Sequence, residues 1–404
     1  MYDITIIGGG IGGMYCCEQL SKKHRVLLLD ERNYLGGRVK THYYPQFEEG
    51  AGRFHSTHKI LLQIIKKCDL TKIKIGGPKD YISLEGEIIQ NANEYFDKKM
   101  KQILNYADSL PKEQLQKYTL KEFLQQIISK QEIQELINIF GYTSEFYVMN
   151  AYDSLKAFKN IFISGNFYVL KEGLRQIIKC LEQRSRENGA TIKSNSRVIN
   201  IKKIENSFSL STNTETYYTQ KIIFATKAHN LLDFSILSPI YKQIKSVVST
   251  PLLRIYAKYP KQKREVWFNN IPTTSSNSIL RQIIPLNYQT GLIMISYTDG
   301  TDVKPFLTKT GKLRSEGVLK NLIKNELQKI FPNKKIPNPT YFRPYLWTRG
   351  CHYWKKNNDS SKISKFMINP IKNIYICGES FSTNQAWMEG ALETATEVIK
   401  KINN

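Results

Sequence analysis

Ile4-Thr5-Ile6-Ile7-Gly8-Gly9-Gly10-Ile11-Gly12-Gly13 opens this 404-residue chain and decides its fold. The apolar run over Asp3–Ile7 predicts a strand. Gly12–Leu20 predicts a helix, and Arg25–Asp30, built on Val26-Leu27-Leu28-Leu29, a second strand. Strand, glycine turn, helix, strand is the context that turns a bare Gly-x-Gly-x-x-Gly pattern into a dinucleotide-binding βαβ unit. Each glycine has its own task there. Gly8 permits the turn out of the strand and Gly10 lets backbone approach a pyrophosphate. Gly13 lets the helix, entered through Ile11 and Gly12, close on the sheet with its N-terminus toward the phosphates. Asp30, with Glu31 beside it, ends the second strand where a carboxylate can hold ribose hydroxyls. To this point the pattern serves NAD as well as FAD.

Further residues point to FAD. Leu35-Gly36-Gly37-Arg38-Val39 resembles the Gly-Gly-Arg signature of the flavin-containing amine oxidase superfamily, and the resemblance implies that Arg38 reaches the flavin pyrophosphate. A guanidinium fork suits phosphate oxygens. At the other end of the chain, Cys377-Gly378-Glu379-Ser380 followed by Trp387-Met388-Glu389-Gly390 resembles the closing motif of the same superfamily. There Glu379 would contact the ribityl chain. The helix from about Ala386, entered through Trp387 and Met388, would aim its N-terminus at the flavin pyrimidine ring. Weaker likenesses lie at Lys171-Glu172-Gly173-Leu174, Arg197-Val198 and Ala225-Thr226, with Val198 implied against the adenine.

Glu49-Gly50-Ala51-Gly52-Arg53-Phe54 has a counterpart in the superfamily too. Gly52 would pass close to the isoalloxazine. Arg53 matches the arginine with which L-amino-acid oxidases bind the substrate carboxylate; a salt bridge from Arg53 to Glu48 or Glu49 is its structural alternative. Trp387 matches one aromatic wall of the substrate channel, and the opposite wall is expected from Tyr345–Trp354. Arg254 falls where the superfamily often carries a lysine that holds a water beside flavin N5. Cys351 lies near the site of covalent flavin attachment in monoamine oxidases, but its neighbours Gly350 and His352 differ from that pattern and favour a free thiol. His55 and His58, three apart, lack a third ligand, so no metal site is expected.

The resemblance therefore implies an α/β protein, a Rossmann-like FAD-binding domain interleaved with an α+β substrate domain. The expected boundaries are 1–72, 161–235 and 340–404 for FAD, and 73–160 with 236–339 for substrate. The expected reaction is oxidation of a CH–NH2 group, in a small-molecule amine or L-amino acid, by FAD with O2 as acceptor, giving imine and hydrogen peroxide. Two alternatives stand beside it. One is a dehydrogenase or desaturase of the protoporphyrinogen or carotenoid oxidase type, and the other a non-catalytic flavin-bound protein that binds acidic partners.

Composition bounds these readings. Hydrophobic content of 41% with 11% aromatics belongs to a globular chain. No apolar run reaches the roughly eighteen residues of a transmembrane helix, and the N-terminus lacks a signal-peptide pattern. The six cysteines form no Cys-x-x-Cys, which predicts free thiols and a reducing, cytoplasmic compartment. A formal charge of +24 has two readings. It is a footprint for nucleic acid, an acidic partner or an anionic membrane, or it is lysine scattered over solvated faces, as the dispersed pairs Lys66-Lys67, Lys202-Lys203 and Lys355-Lys356 suggest. No basic stretch matches a nucleic-acid module. A polycationic substrate would be repelled.

Overall fold

In the opening strand, β1 (Tyr2–Ile7), alternate residues take opposite sides: Ile4 and Ile6 join one hydrophobic cluster and Ile7 joins another. β2 (Val26–Leu29) does the same, with Val26 and Leu28 on the first side and Leu27 and Leu29 on the second. A strand apolar on both faces belongs inside a parallel sheet covered above and below. The computed structural model, which describes residues 1–163 and 165–404, shows that sheet.

The chain forms two units, Met1–Ile75, Gly165–Val248 and His352–Asn404 making the first and Gly76–Ser164 with Ser249–Cys351 the second. Two of these boundaries differ markedly from those expected, 248 against 235 and 351 against 339. They fall inside the long strands Val247–Lys258 and Tyr341–Trp354, so the change of unit comes without a break in the strand to mark it.

In the first unit, helix α1 (Ile11–Leu20) follows β1 through the glycine turn. Helices α2 (Lys59–Lys67) and α3 (Arg175–Glu187) come later, then β3 (Thr191–Lys193), β4 (Val198–Ile204), β5 (Ser207–Thr212) and β6 (Thr216–Phe224). Helix α4 (Ser360–Met367), β7 (Ile374–Ile376) and helix α5 (Met388–Asn403) complete it. The sheet order is β3-β2-β1-β6, all parallel, and β6 divides its second edge. Residues 216–219 pair antiparallel with β5, while Ile222, Ile223 and Phe224 pair parallel with β7. The strands β4 and β5 thus return to the first sheet through β6. Helices α1, α3 and α5 share the cluster on one face, where α1 packs on both of the others.

On the same face, Cys68, just past α2, and Cys180, on α3, are joined in a disulfide. This corrects the expectation that all six cysteines are free, which holds for Cys16, Cys17, Cys351 and Cys377. The pair is 112 residues apart in sequence, so no spacing motif could reveal it; the packing of Ile64, Ile65, Ile177 and Ile178 into one cluster brings it together.

The second unit is α+β. A sheet includes the strands Val247–Lys258, Gln282–Asn287 and Leu292–Asp299, backed by the helix Glu316–Ile330. A helical layer fills 92–157. Within it lie Ala92–Ala107, two short turns and Lys130–Phe140; Pro111 caps the first short turn, and Thr119 and Ser129 each begin a new helix with a capping box.

Closing so long a loop restricts the unfolded chain, so Cys180→Ser should lower stability by about 2–4 kcal/mol. Denaturant melts of the intact protein with and without reductant would measure it, and a non-reduced peptide map should contain the Cys68–Cys180 cross-link.

Candidate functional site

The glycine turn is crowded everywhere except at one position. A Cβ on Gly8 would lie 2.6 Å from the Ala225 carbonyl oxygen, and one on Gly13 only 2.0 Å from that of Gly8. A Cβ on Gly9 would meet Leu35 at 2.6 Å, and one on Gly12 the Ala391 carbonyl at 3.2 Å. A Cβ on Gly10 meets nothing within 4 Å. Packing explains the first four glycines. The fifth faces open space at the N-terminus of α1, where no side chain caps the helix and no acidic residue occupies the first turn. A bare helix end beside a glycine that the protein itself does not require fits a phosphate-bearing ligand.

Other predicted residues converge on this turn. Gly36 N–H donates to Gly9 O at 2.8 Å, bringing Gly37 and Arg38 alongside Gly10. Asp30 is buried, and its carboxylate accepts from Gly9 N–H at 2.6 Å and Arg32 N–H at 2.8 Å. Burial outweighs these amide bonds and raises its carboxyl pKa. Asp30 thus braces the glycine turn, and the carboxylate left toward solvent is that of Glu31, 4.0 Å from Arg197. Backbone bonds from Ser196 to Asp30 and from Asn195 to Arg32 bring buried Val198, at the head of β4, to the same end of β2.

Glu379 joins this site from the far end of the chain. Its buried carboxylate takes a bidentate contact from Arg38, Nη1 at 3.0 Å and Nη2 at 3.2 Å. It also takes His352 N–H at 2.9 Å and His352 Nδ1 at 2.9 Å. Burial would raise the carboxyl, but the charge of Arg38 and the contact with His352 outweigh it and hold Glu379 far below the usual carboxylate range. Nδ1 carries the ring proton, since a carboxylate only accepts. Nε2 of His352, equally buried, has no partner among the described residues. Gly378, at φ +133°, turns the chain into this network.

A second cluster gathers around Trp387. Its ring lies 6.0 Å from Phe167, stacked, and 5.2 Å from His58, edge-on. The Arg53 guanidinium sits over the other member of the stack, 4.4 Å from the Phe167 centroid. Among the described residues Arg53 has no ion-pair partner. Glu49 pairs with Lys40 at 2.7 Å, and Glu48 accepts from Thr41 and from Leu174 N–H. Trp387 is the N-cap of α5, whose N-terminus has no side-chain cap. Ala386 before it adopts φ +66°, a left-handed conformation that costs a non-glycine residue about 1 kcal/mol. The neighbouring Glu389 turns away from this end and caps α2, accepting from Ile60 and Leu61 N–H at 2.8 and 2.9 Å. His58 Nδ1 accepts from His55 N–H, and desolvation, with the charge of His55 added, pulls the His58 pKa down to about 3.

Other expectations fall differently. Arg254 is buried in the second unit, donating Nη2 to Tyr297 OH at 2.9 Å. Burial opposes its charge, and the phenol oxygens of Tyr297 and Tyr256 outweigh that and raise its pKa. From the aromatic segment expected as the second wall, Trp354 turns into the core, Nε1 donating to Ser382 O at 2.9 Å, and Tyr345 packs on Tyr256 in the second unit. Phe167 and His58 flank Trp387 instead. Neither carried a motif: Phe167 lies on a short strand paired with Phe54-His55, a pairing with no local sequence signature.

A glycine cradle, an arginine–glutamate pair from opposite ends of the chain and a second uncapped helix entered through an aromatic wall define an FAD-dependent oxidoreductase. The chain belongs to the flavin-containing amine oxidoreductase family, whose profile matches residues 11–399. Putrescine oxidase bound to putrescine has the same fold, with a TM-score of 0.82 at 14% identity over 100% of this chain and 99% of that one. A redesigned variant of that enzyme aligns with a TM-score of 0.81 at 14% identity over the same shares. Among curated proteins, an uncharacterized protein of Acanthamoeba polyphaga mimivirus is 36% identical over 81 residues, 18% of this chain and 16% of that protein. One of Methanocaldococcus jannaschii is 28% identical over 109 residues, 26% of each. This chain thus spans well under two thirds of the curated relatives it matches. FAD is the cofactor, and the residues fit it. Gly10 and the α1 N-terminus would take the pyrophosphate, Glu31 and Val198 the adenosine, and Arg38 and Glu379 the remainder of the chain toward the ring.

Gly10→Val should leave stability within about 1 kcal/mol yet weaken FAD binding at least tenfold, whereas Gly13→Ala should cost about 2–3 kcal/mol through overpacking. FAD titration of the apoprotein, paired with urea melts, separates the two. The lowered pKa of His58 gives a second expectation. Between pH 6.5 and about 3 only the unfolded chain takes up this proton, so stability falls as pH drops through that window. Melts across pH should show that slope, and His58→Gln should flatten it.

Proposed function

We propose that the protein oxidises the CH–NH2 group of an L-amino acid with O2, releasing the imine and hydrogen peroxide. Arg53 carries this reading. It is a half-buried guanidinium beside the aromatic pair Phe167 and Trp387, with no carboxylate among the described residues to neutralise it. An α-carboxylate supplies the missing anion in a two-point contact that fixes orientation as well as position. The +24 charge favours a substrate carrying an anionic group over a diamine.

Bound FAD supplies the acceptor for the hydride leaving the α-carbon. The chain supplies placement: Arg53 holds the carboxylate, and Trp387 and Phe167 present aromatic faces that exclude water. Loss of hydride leaves an iminium; water then adds, releasing ammonia and the oxo acid, while O2 takes up two electrons and two protons to give the peroxide. A diamine is the rival substrate, because putrescine oxidases share the fold.

The test is anaerobic. Mixing the holoprotein with L-amino acids should bleach the flavin absorbance, and readmitted air should yield peroxide. Arg53→Ala should lower the bimolecular reduction constant about 30-fold or more, the loss expected when a desolvated charge pair is cut. Bleaching by putrescine but not by amino acids would overturn the carboxylate reading. No bleaching by any amine would favour the desaturase or non-catalytic alternatives.

A further inference from the structure

We propose that the first unit docks on an anionic lipid surface through helix α4 and the turns on either side of it. Ser360 and Met367 of this helix are buried, and Ile363 packs on the core beneath the sheet. Helical periodicity therefore turns Ser361, Lys362, Lys365 and Phe366 outward, and all four are exposed. Phe366 is 43% exposed, flanked by Lys362 one turn earlier and Lys365 beside it.

The flanking turns extend the same charge. Lys355 N–H donates to Ser246 O at 3.0 Å, which brings Lys355 next to Lys245. Asn369 Nδ2 closes the turn after α4 by donating to Ile371 O and Ile374 O, and Lys372 stands on that turn. The short helix Tyr241–Ile244, carrying Lys242, packs on the same cluster as Ile363 and Ile371. All of these lysines are exposed, and among the described residues none has a carboxylate partner. The one acid in the segment, Asp359, caps α4 by accepting from Lys362 N–H. Elsewhere lysines are neutralised locally, as Lys193 is by Glu215 and Lys22 by Glu18.

An uncompensated lysine cluster around a projecting phenyl ring is the chemistry of an interfacial contact, with ammonium groups at lipid headgroups and an aromatic ring at the acyl boundary. Nucleic acid fits it less well. The face holds no arginine to fork onto bases or phosphates, and it offers one ring instead of a row of stacking platforms.

The test is sedimentation of the holoprotein with vesicles of phosphatidylcholine alone or with about 30% phosphatidylserine, an anionic surface of physiological sign. Binding should require phosphatidylserine and be reversed by salt. Removing a lysine from such a surface weakens binding about fivefold, so the double variant Lys362→Glu/Lys365→Glu should lose at least about 25-fold. Phe366→Ser should weaken binding severalfold while leaving its salt dependence intact. Lys98→Glu/Lys101→Glu, an equal charge change on an exposed helix of the second unit, should bind like the parent. Flavin absorbance and melts confirm that each variant is folded. Equal loss in the two double variants would overturn the proposal, since net charge alone would then explain it. Absence of vesicle binding at low salt would also overturn it, as would a DNA duplex that binds tighter than the vesicles and is lost with the same α4 variants.

Discussion

A carboxylate taken out of water must be matched by charge and by hydrogen-bond donors, and Glu379 is matched by groups from two other parts of the chain. Arg38 comes from the loop after β2 and His352 from the strand that returns to the first unit. Removing either would leave a buried charge half-compensated, a far larger penalty than losing an exposed ion pair. The Gly-Gly-Arg loop and the closing motif are therefore one electrostatic unit, although 341 positions separate Arg38 from Glu379. Residues that would hold the cofactor are held by one another first.

The cluster around Trp387 depends on a similar economy of parts. Helix α5 presents its N-terminus and, through Trp387, an aromatic wall; through Glu389 it also caps α2, the helix that begins at His58. The aromatic ring, the histidine beside it and the helix end are thus tied to one another by direct contacts. The left-handed Ala386 is the local cost of aiming Trp387 from that helix end, and such strain persists only where the surroundings over-determine it.

The glycine turn, β1, α1 and β2 were legible because their constraints are local: an apolar run, a forced turn and a helix lie within thirty residues. The meeting of Arg38 with Glu379 is signalled only by two motifs read together. What could not be read has a common physical origin in contacts between distant segments. Nothing local to Asp30 shows that the Gly9 amide consumes its carboxylate and leaves the open position to Glu31. Cys68 and Cys180 meet only because α2 and α3 bury the same face. Arg254 looks like an ordinary strand residue until Tyr297 of the paired strand and Tyr256 of its own are seen to meet its guanidinium. Phe167 acquires its place beside Arg53 and Trp387 from a two-residue strand pairing.

The shared strand β6 also dictates an order of events during synthesis. It pairs with β1 in a register that sets Tyr2 against Thr219, so the first strand leaves the ribosome roughly two hundred residues ahead of its inner neighbour. At about 5–20 residues per second that is a wait of roughly ten to forty seconds. Until β6 arrives, β1 has β2 on one side and a bare hydrogen-bonding edge on the other, lined by Ile4, Ile6 and Ile7. An unpaired apolar edge is what chaperones recognise and what aggregates when they are scarce. The strand that leads into the glycine turn is thus also a part of the nascent polypeptide long in need of protection.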